Sequence, residues 1–503
     1  MKKIVDNALT GLLALVLFSL ISIFVCANIF HYTAYMEADI ASETLFVEVM
    51  YESGSINPST WISSTGHRIM APTDLAVLIY PLVGYDFQLA LGSACCIMML
   101  FVLLSMYLYM KEAGFSVAEI LGAEVLAISL TTPGEQVQKM LFLYAAYYTD
   151  QVISLFFTLF IYEKFKKKGS LSLPGVVVSA ALAILNGLQG YQGLLYCYFP
   201  IMAAEIIRIF AGFIKKEKIK EIYLSVWTFV ITAISLATSL VTGVYSPESG
   251  RNIRHAPEKF LEEVLPAICN IFSSGRLPWL TIIFIVLAIA GYIFAAAGKK
   301  SKFRWNSLSF ILSVCGYVFV TTFTTNMVSE RYYMMIIFAI AVGVSYFAKS
   351  ISKVDVKRII AVSVIIYGVF AAADFYKTLI VDDNSETSDQ YLVAMWMEDN
   401  GYTYGYSTFD HANYITVMSN NAVKVRSVNN MADMEGCKWL TDMTWYPPIK
   451  SSDGETCYII TSYLEDDFNK FLAEYNPQVV ETAEIGRYMI YVLDKDYTLW
   501  ERK

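Results

Sequence analysis

Acidic residues at the ends of apolar runs are the residues of this sequence that could support chemistry. Asp39 follows the first apolar run by a few residues, in a segment that also contains Glu37 and Glu43. A carboxylate at the boundary between lipid and water is costly unless it is paired or used, and such a group can take up a proton. We therefore expect a functional role for Asp39. The helical spacing of Glu43, Glu48 and Glu52 predicts a solvated helix face.

Asp150 is the second candidate, within Tyr147-Tyr148-Thr149-Asp150-Gln151 in an apolar run. An ionisable residue near the end of a membrane helix marks a functional site by default, although an aspartate that reaches the membrane surface is the alternative. A nearby segment, Asn186 to Gly193, has three glycines at a spacing of three. These glycines permit close approach of the backbone either to a ligand or to a neighbouring helix.

Cationic side chains in two polar segments could hold a phosphate group. Arg331 lies in Asn326 to Tyr333, and its planar fork suits phosphate oxygens, although a Glu330–Arg331 anchor at the interface is the alternative. Three more cationic candidates share the polar segment 245–278, which could equally be a solvated loop: Arg251, Arg254 and His255.

The elements that must position these residues are membrane helices. The 503-residue chain is 56% hydrophobic and 16% charged, and its mean hydropathy is +0.49. Apolar runs of about 17–23 residues are long enough to cross a bilayer, and lipid requires them to be helical. We predict eleven spans, the first of them a retained signal-anchor, near 9–30, 88–110, 117–132, 142–162, 172–187, 192–211, 222–244, 279–297, 307–325, 333–348 and 358–375.

Basic loops after alternate helices orient these spans. The positive-inside rule places the loops in the cytoplasm together with the N-terminus. The C-terminus, the first loop (31–87) and all four histidines are then extracytoplasmic in a plasma-membrane protein. The basic residues in question are Lys164, Lys166, Lys167, Lys168, Lys215, Lys216, Lys218, Lys220, Lys299, Lys300, Lys302, Arg304, Lys349, Lys353, Lys357 and Arg358.

We predict two domains, a transmembrane domain at 1–376 and a soluble α/β domain at 377–503. The second has 21 Asp and Glu against 10 Lys and Arg, a net charge of −11. Its pattern predicts helices at 389–400 and 464–475 and strands at 404–408, 422–428, 457–462 and 487–493. Cys437 and Cys457 are its two cysteines, and an oxidising compartment would permit a disulfide between them.

This layout resembles the GT-C membrane glycosyltransferases, which use polyprenyl-phosphate-linked sugars. The resemblance rests on the anchor helix, a long first loop that opens with an acid, a second acid further along and a C-terminal extracytoplasmic domain. It implies that Asp39 is the general base, that Asp150 occupies the second acidic position and that Arg331 lies near the lipid phosphate. In some relatives the second acid helps to hold a divalent metal, here Mg²⁺ or Mn²⁺.

The expected function is inverting transfer of a sugar from a polyprenyl-phosphate donor to an extracytoplasmic glycan, lipid or protein. The sequence has no Trp-Trp-Asp signature, which argues against an oligosaccharyltransferase. We expect membrane lipid but no nucleic acid as a partner. Two rivals stay open, namely a transporter or flippase of an envelope precursor, which would require charged or broken helices at mid-membrane, and a non-catalytic scaffold.

Overall fold

The computed structural model describes residues 2–31, 36–63, 69–143, 148–214, 216, 221–241, 250–272, 277–297, 305–446 and 454–498. Several predicted features lie outside these residues: Tyr147, position 453 and most of the basic residues at 215–220 and 299–304. The described helices are α1 (Lys2–Cys26), α2 (Ala38–Ser53), α3 (Pro72–Ile79), α4 (Phe87–Glu112), α5 (Val117–Ser129), α6 (Gln136–Phe142), α7 (Thr149–Lys168), α8 (Leu173–Leu188), α9 (Phe199–Ile214), α10 (Ile222–Val241), α11 (Ala256–Lys259), α12 (Leu265–Asn270), α13 (Pro278–Ala297), α14 (Ser309–Phe323), α15 (Met335–Ser350), α16 (Val354–Tyr376), α17 (Asp389–Asp399), α18 (Phe409–Met418) and α19 (Glu465–Tyr475). The described strands are β1 (Trp61–Ile62), β2 (Tyr404–Thr408), β3 (Lys424–Val428), β4 (Thr441–Asp442), β5 (Thr456–Thr461), β6 (Val479–Ile485) and β7 (Tyr488–Leu493).

The chain divides into two compact units, which are described separately. The membrane unit comprises Met1–Cys26, Gly66–Ala71 and Cys95–Val381. The sheet unit comprises Ala27–Thr65, Pro72–Ala94 and Asp382–Lys503. The sequence prediction counted loop 31–87 with the membrane domain, whereas most of that loop groups with the C-terminal residues.

Helices dominate the membrane unit, and each of the eleven predicted spans corresponds to a helix. Seven helices among the described residues are long and apolar enough to cross a membrane. Others are shorter: α5 has 13 residues and α8 has 16, and at 1.5 Å per residue these fall short of a typical bilayer core. The polytopic helical architecture is confirmed, while the number eleven stays a prediction.

Glycines allow α13 and α15 to touch through their backbones. A Cβ atom added to Gly291 would overlap the carbonyl oxygen of Gly343. One added to Gly343 would lie 2.7 Å from the Tyr292 ring and 2.8 Å from the Cβ of Ala288. Small residues at such crossings let membrane helices approach closely and gain dispersion contacts.

We expect Gly291→Leu to disrupt this crossing, because its side chain has no space beside Gly343. The purified variant should lose most of its monodisperse peak in size-exclusion chromatography and melt at a lower temperature. Gly316→Leu on α14 is the matched control, since nothing lies within 4 Å of a Cβ added there. Equal monodispersity and melting temperature in the two variants would contradict the packing argument.

The sheet unit has a five-stranded sheet in the order β3-β2-β5-β7-β6. Strands β3, β2 and β5 are parallel, while β7 and β6 join antiparallel. Successive side chains of β5 alternate between two cores, as the pleat requires. Cys457 and Ile459 belong to the core that includes residues of α17 and α18, and Tyr458 and Ile460 to the core that includes residues of α19. The predicted C-terminal α/β domain is confirmed.

The hypothesis of a disulfide between Cys437 and Cys457 is contradicted, because both cysteines are free and buried. Cys457 lies on β5 beside Gly405 of β2, whereas the backbone N–H of Cys437 donates to the carbonyl of Ser427 on β3. Cys437 lies one strand spacing from β3, and β5 lies two spacings from β3 on its other side. The two cysteines are therefore three spacings apart, roughly 14 Å, which is well beyond the reach of a disulfide. Burial raises the pKa of Cys457 to about 12, so its thiol is inert.

The first-loop helix α2 packs against α18 in the sheet unit. The Asn413 side-chain amide donates to the hydroxyl of Ser42 over 2.8 Å. Strand β1 pairs with β4, and the hydroxyl of Thr60 donates to Asp442 over 2.6 Å. Two segments far apart in sequence therefore form one folded body.

His411 is a buried histidine held between two tyrosines. Its Nε2 lies 2.6 Å from the hydroxyl of Tyr463, and its Nδ1 lies 2.9 Å from the hydroxyl of Tyr488. Burial and the charge of Arg487 lower the pKa of His411 to about 4, while Asp410 opposes the shift. The imidazole is therefore neutral in the folded protein at neutral pH.

The sheet unit should lose stability in acid because of His411. His411 takes up a proton near pH 6.5 in the unfolded chain but only near pH 4 in the folded protein. Its contribution to the free energy of unfolding is therefore complete above pH 6.5 and falls as the pH drops from 6.5 to 4. The expected loss between pH 7.5 and 5 is about 2 kcal/mol. Between pH 7.5 and 5, the melting temperature of the full-length protein should fall less in His411→Gln than in wild type. His255→Gln, which changes an exposed histidine, should behave as wild type. A fall in melting temperature that is the same in His411→Gln as in wild type would refute the role of His411 in the acid sensitivity.

Candidate active site

Asp39 lies in the first turn of α2, in the sheet unit, and is half-buried. Every residue from Ile40 to Val47 is buried, so the first half of the helix is enclosed on all sides rather than lying on a surface. Glu37 occupies the N-cap position with extended backbone, and its carbonyl accepts the N–H of Ala41. The fold therefore holds Asp39 on a rigid support, as a catalytic carboxylate requires.

An ion pair fixes the chain just before this helix. Nδ1 of His31 lies 2.6 Å from the Asp383 carboxylate, which also accepts the backbone N–H of Ser385. Burial alone would raise the pKa of Asp383, but the hydrogen bonds from His31 and Ser385 outweigh it and lower that pKa. Asp39 is thus preceded by a segment that is tied to the C-terminal part of the sheet unit.

The predicted solvated face of α2 is wrong for two of its three glutamates. Glu43 is only 8% exposed, and Glu48 accepts a 2.7 Å hydrogen bond from the side-chain amide of Asn421. Only Glu52 is exposed. The cause is the packing of this helix against residues about 370 positions further along the chain, which helical spacing alone does not reveal.

Asp150 lies in the first turn of α7, in the membrane unit, and is only 3% exposed. It accepts a 2.8 Å hydrogen bond from the side-chain amide of Gln189. The glycine segment that contains Gln189 also packs helices, because a Cβ on Gly187 would lie 2.6 Å from the carbonyl oxygen of Ser235. This segment therefore serves both helix packing and the positioning of Asp150.

A row of tyrosines joins the start of α7 to the segment that contains Arg331. The ring of Tyr148 contacts Tyr196, which lies 4.2 Å from Tyr317, which in turn stacks on Tyr332 at 5.7 Å. The hydroxyl of Tyr196 donates to the carbonyl oxygen of Arg331. These four rings are the tyrosine row, and the structure places Asp150 and Arg331 next to its two ends.

The half-buried guanidinium of Arg331 lies 5.6 Å from the centre of the Tyr332 ring. Glu330 lines a polar cavity of about 380 Å³ together with Glu135, Gln136, Glu263, Asn270 and Ser329. The hydroxyl of Ser329 donates to Gln136 over 2.7 Å. Polar groups of this kind could hold the hydroxyls of a sugar beside Arg331.

The other cationic candidates lie on the segment 250–272. Arg251 and Arg254 are exposed, and Arg251 forms a β-bridge with Thr324. His255 is exposed beside Glu258. Sequence reasoning missed Lys259, which is buried and donates to the carbonyl oxygens of Thr324 and Asn326 over 2.9 and 2.6 Å. This lysine fixes the segment that leads to Arg331.

Other residues missed at the sequence level are Gln189 as the partner of Asp150 and the tyrosine row. The chain's 35 tyrosines are an available signal, but their pairing depends on helices that are distant in sequence.

The described residues do not fit a metal site. No group of three His, Cys, Asp or Glu side chains that could hold an ion occurs among them, and the Gln189 side chain that bonds to Asp150 does so through its amide donor. Asp39, Glu37 and Glu43 belong to the sheet unit, whereas Asp150, Arg331, Glu330, Arg251, Arg254 and His255 belong to the membrane unit, and the meeting of the two sets stays a prediction.

Comparison with known proteins assigns the fold. No protein-family model and no curated protein sequence matches this chain. Solved structures of GT-C membrane glycosyltransferases do match, and the predicted GT-C-like architecture is therefore confirmed.

One of these structures is ArnT from Cupriavidus metallidurans. Its apo form has a TM-score of 0.55 and 12% identity over 96% of this chain and 98% of ArnT. The form bound to undecaprenyl phosphate gives 0.51 and 11% over the same shares. The archaeal oligosaccharyltransferase AglB from Archaeoglobus fulgidus, solved with an inhibitory peptide and a dolichol-phosphate, gives 0.48 and 14% over 82% of this chain. The chain spans 64% of the length of AglB.

Proposed function

We propose that this protein transfers a sugar from a polyprenyl-phosphate-linked donor to an extracytoplasmic acceptor, with inversion at the anomeric carbon. The observation that carries the proposal is the placement of Asp39, a half-buried carboxylate in the first turn of a helix whose next two turns are buried. Its position shortly after the first membrane helix is what a GT-C layout requires. The GT-C fold supports the same reading.

In the proposed step Asp39 takes the proton of the acceptor hydroxyl as its oxygen attacks the anomeric carbon. The bond between that carbon and the phosphate oxygen breaks, and the lipid phosphate leaves with the electron pair. One base and a good leaving group suffice for a single displacement, which inverts the configuration.

Arg331 stabilises the departing phosphate in this proposal, because a guanidinium can donate two parallel hydrogen bonds to its oxygens. Arg251 and Arg254 are exposed cations on a segment bridged to Thr324 and bind further phosphate oxygens. Asp150, at the other end of the tyrosine row, holds a donor-sugar hydroxyl or orients the groups around it. A role for Mg²⁺ or Mn²⁺ is tested directly, by assay with and without EDTA.

The test of function is a transfer assay on the full-length protein in lipid nanodiscs with a radiolabelled undecaprenyl-phosphate sugar. Conversion of the label to a water-soluble glycan, or to free sugar when water is the acceptor, supports a transferase. Movement of intact donor between leaflets of proteoliposomes without cleavage supports the transporter. If neither cleavage nor movement of the donor is detected, the scaffold is supported.

The proposed orientation has the N-terminus in the cytoplasm and the C-terminal residues outside the plasma membrane. Single cysteines at positions 300 and 453, placed in a cysteine-free chain, should differ in accessibility because the positive-inside rule puts them on opposite sides. A membrane-impermeant maleimide added to intact cells should label position 453 and not position 300. Labelling of both, or protection of both, would refute the orientation and the assignment of Asp39 to an outer site.

A further inference from the structure

A second cavity, of about 460 Å³, lies within the sheet unit at the opposite end of α2 from Asp39. Three segments line it: the last turns of α2, the turn that follows α3, and the turn after α18. Its volume falls within the usual range of small-molecule sites. The lining residues are Glu48, Tyr51, Glu52, Tyr80, Gly84, Tyr85, Asn420, Asn421 and Ala422.

Three tyrosine rings form the aromatic part of this cavity. Tyr51, Tyr80 and Tyr85 meet edge to face, with ring centres 5.3–5.8 Å apart. Tyr80 is buried, but Tyr51 and Tyr85 are 40% and 50% exposed. The cavity therefore presents open aromatic surface whose position is fixed by a buried ring.

The polar groups of the cavity are mainly hydrogen-bond acceptors. Glu48 already accepts from the amide of Asn421, and the Oδ1 atom of Asn421 is buried and accepts no hydrogen bond from the described residues. Burial and the charge of Glu52 raise the pKa of Glu48, against Arg426 and Lys424. The two carboxylates therefore offer acceptor atoms that suit a ligand with several donors.

The backbone around the cavity is held in a conformation that side chains rarely adopt. Tyr85, Asn420 and Asn421 have φ angles of +66°, +47° and +69°. Asparagine tolerates this region, but a tyrosine there is an outlier. Strained positions of this kind persist where the surrounding structure enforces them, often at ligand sites.

We propose that this cavity binds a sugar residue of the acceptor glycan. The apolar face of a sugar ring packs on Tyr51 and Tyr85, and its hydroxyls donate to Glu48 and Glu52. That the sugar belongs to the acceptor rests on the proposed function, whereas sugar binding itself does not.

The proposal is tested by binding of the labelled full-length protein to a glycan array. Nanodiscs are used because maltoside detergents themselves present sugars. Wild type should bind a subset of the glycans, and Tyr51→Ala should weaken that binding about tenfold, because one aromatic contact is lost. Glu52→Gln should weaken it as well. The matched controls are Tyr475→Ala, at a tyrosine that is 36% exposed, and Glu484→Gln, at an exposed glutamate of β6.

Absence of binding to any glycan, or unchanged binding in Tyr51→Ala, would overturn the proposal. The proposal would also be overturned if millimolar tetramethylammonium chloride displaced the bound glycan while sodium chloride did not, because the cavity would then be a site for organic cations. Asp39→Asn separates this inference from the proposed function. It should retain glycan binding, so loss of transfer with binding intact concerns the mechanism alone.

Discussion

Asp39→Asn should reduce sugar transfer by at least about 100-fold, because a general base typically contributes 10²–10⁴-fold. The substitution keeps the volume of the side chain and removes its ability to take up a proton. The enclosed helix that begins at Ala38 should remain folded, since Asp39 is not among its buried residues. The measurement is the initial rate of glycan formation from a labelled polyprenyl-phosphate sugar in nanodiscs.

The control for this experiment is Asp399→Asn, which changes an exposed aspartate at the end of α17 and should leave the rate unchanged. Glu48 is unsuitable as a neutral control, because it bonds to Asn421. Near-normal transfer by a monodisperse Asp39→Asn protein would exclude Asp39 as the base and favour the transporter or the scaffold.

Arg331→Ala should lower kcat/KM for the lipid-linked donor by about 10²–10³-fold, the usual effect of removing one group that stabilises developing charge. Arg331→Lys should recover part of this loss, because it restores the charge without the planar fork. Varying the donor concentration separates a loss of binding from a loss of turnover.

Two further variants make the arginine experiment specific. Arg254→Ala tests whether an exposed arginine of the neighbouring segment carries the role instead. Lys470→Ala removes a solvated cation that is paired with Asp467 in the sheet unit and should have no effect. Full activity of Arg331→Ala combined with a large loss in Arg254→Ala would move the phosphate site to the segment 250–272.

Local sequence patterns predicted the helices and most strands because their signals are local. The strand Tyr404–Thr408 has the predicted bounds, and the helix predicted at 464–475 ends at Tyr475, followed by Asn476 in the left-handed conformation. Strand β6 was missed because it is a mostly exposed edge strand whose sequence does not alternate between apolar and polar residues. Helix α18 was missed because its Phe-Asp-His-Ala-Asn-Tyr start contains several residues of low helix propensity.

The candidate site was predictable only in part, because its supports are non-local. The positions of Asp39 and Asp150 near helix ends follow from the sequence, whereas the burial of Asp150 against Gln189, 39 residues away, does not. The burial of Glu43 depends on a domain at the other end of the chain. The tyrosine row joins four separate segments, and no spacing within one segment encodes such contacts.

The sheet unit is assembled from the two ends of the sequence, and this has a consequence for biosynthesis. Residues 95–381 separate its two halves along the chain. At the usual 5–20 residues per second, translation needs roughly 15–60 s to cross that interval. During this time helix α2, which contains the buried residues Ile40, Leu45 and Phe46, lacks helix α18, its packing partner from the second half. A ribosome stalled late, or a stop codon before residue 404, would leave this first segment exposed to chaperones and proteases, so nascent chains should be degraded from their amino-terminal half.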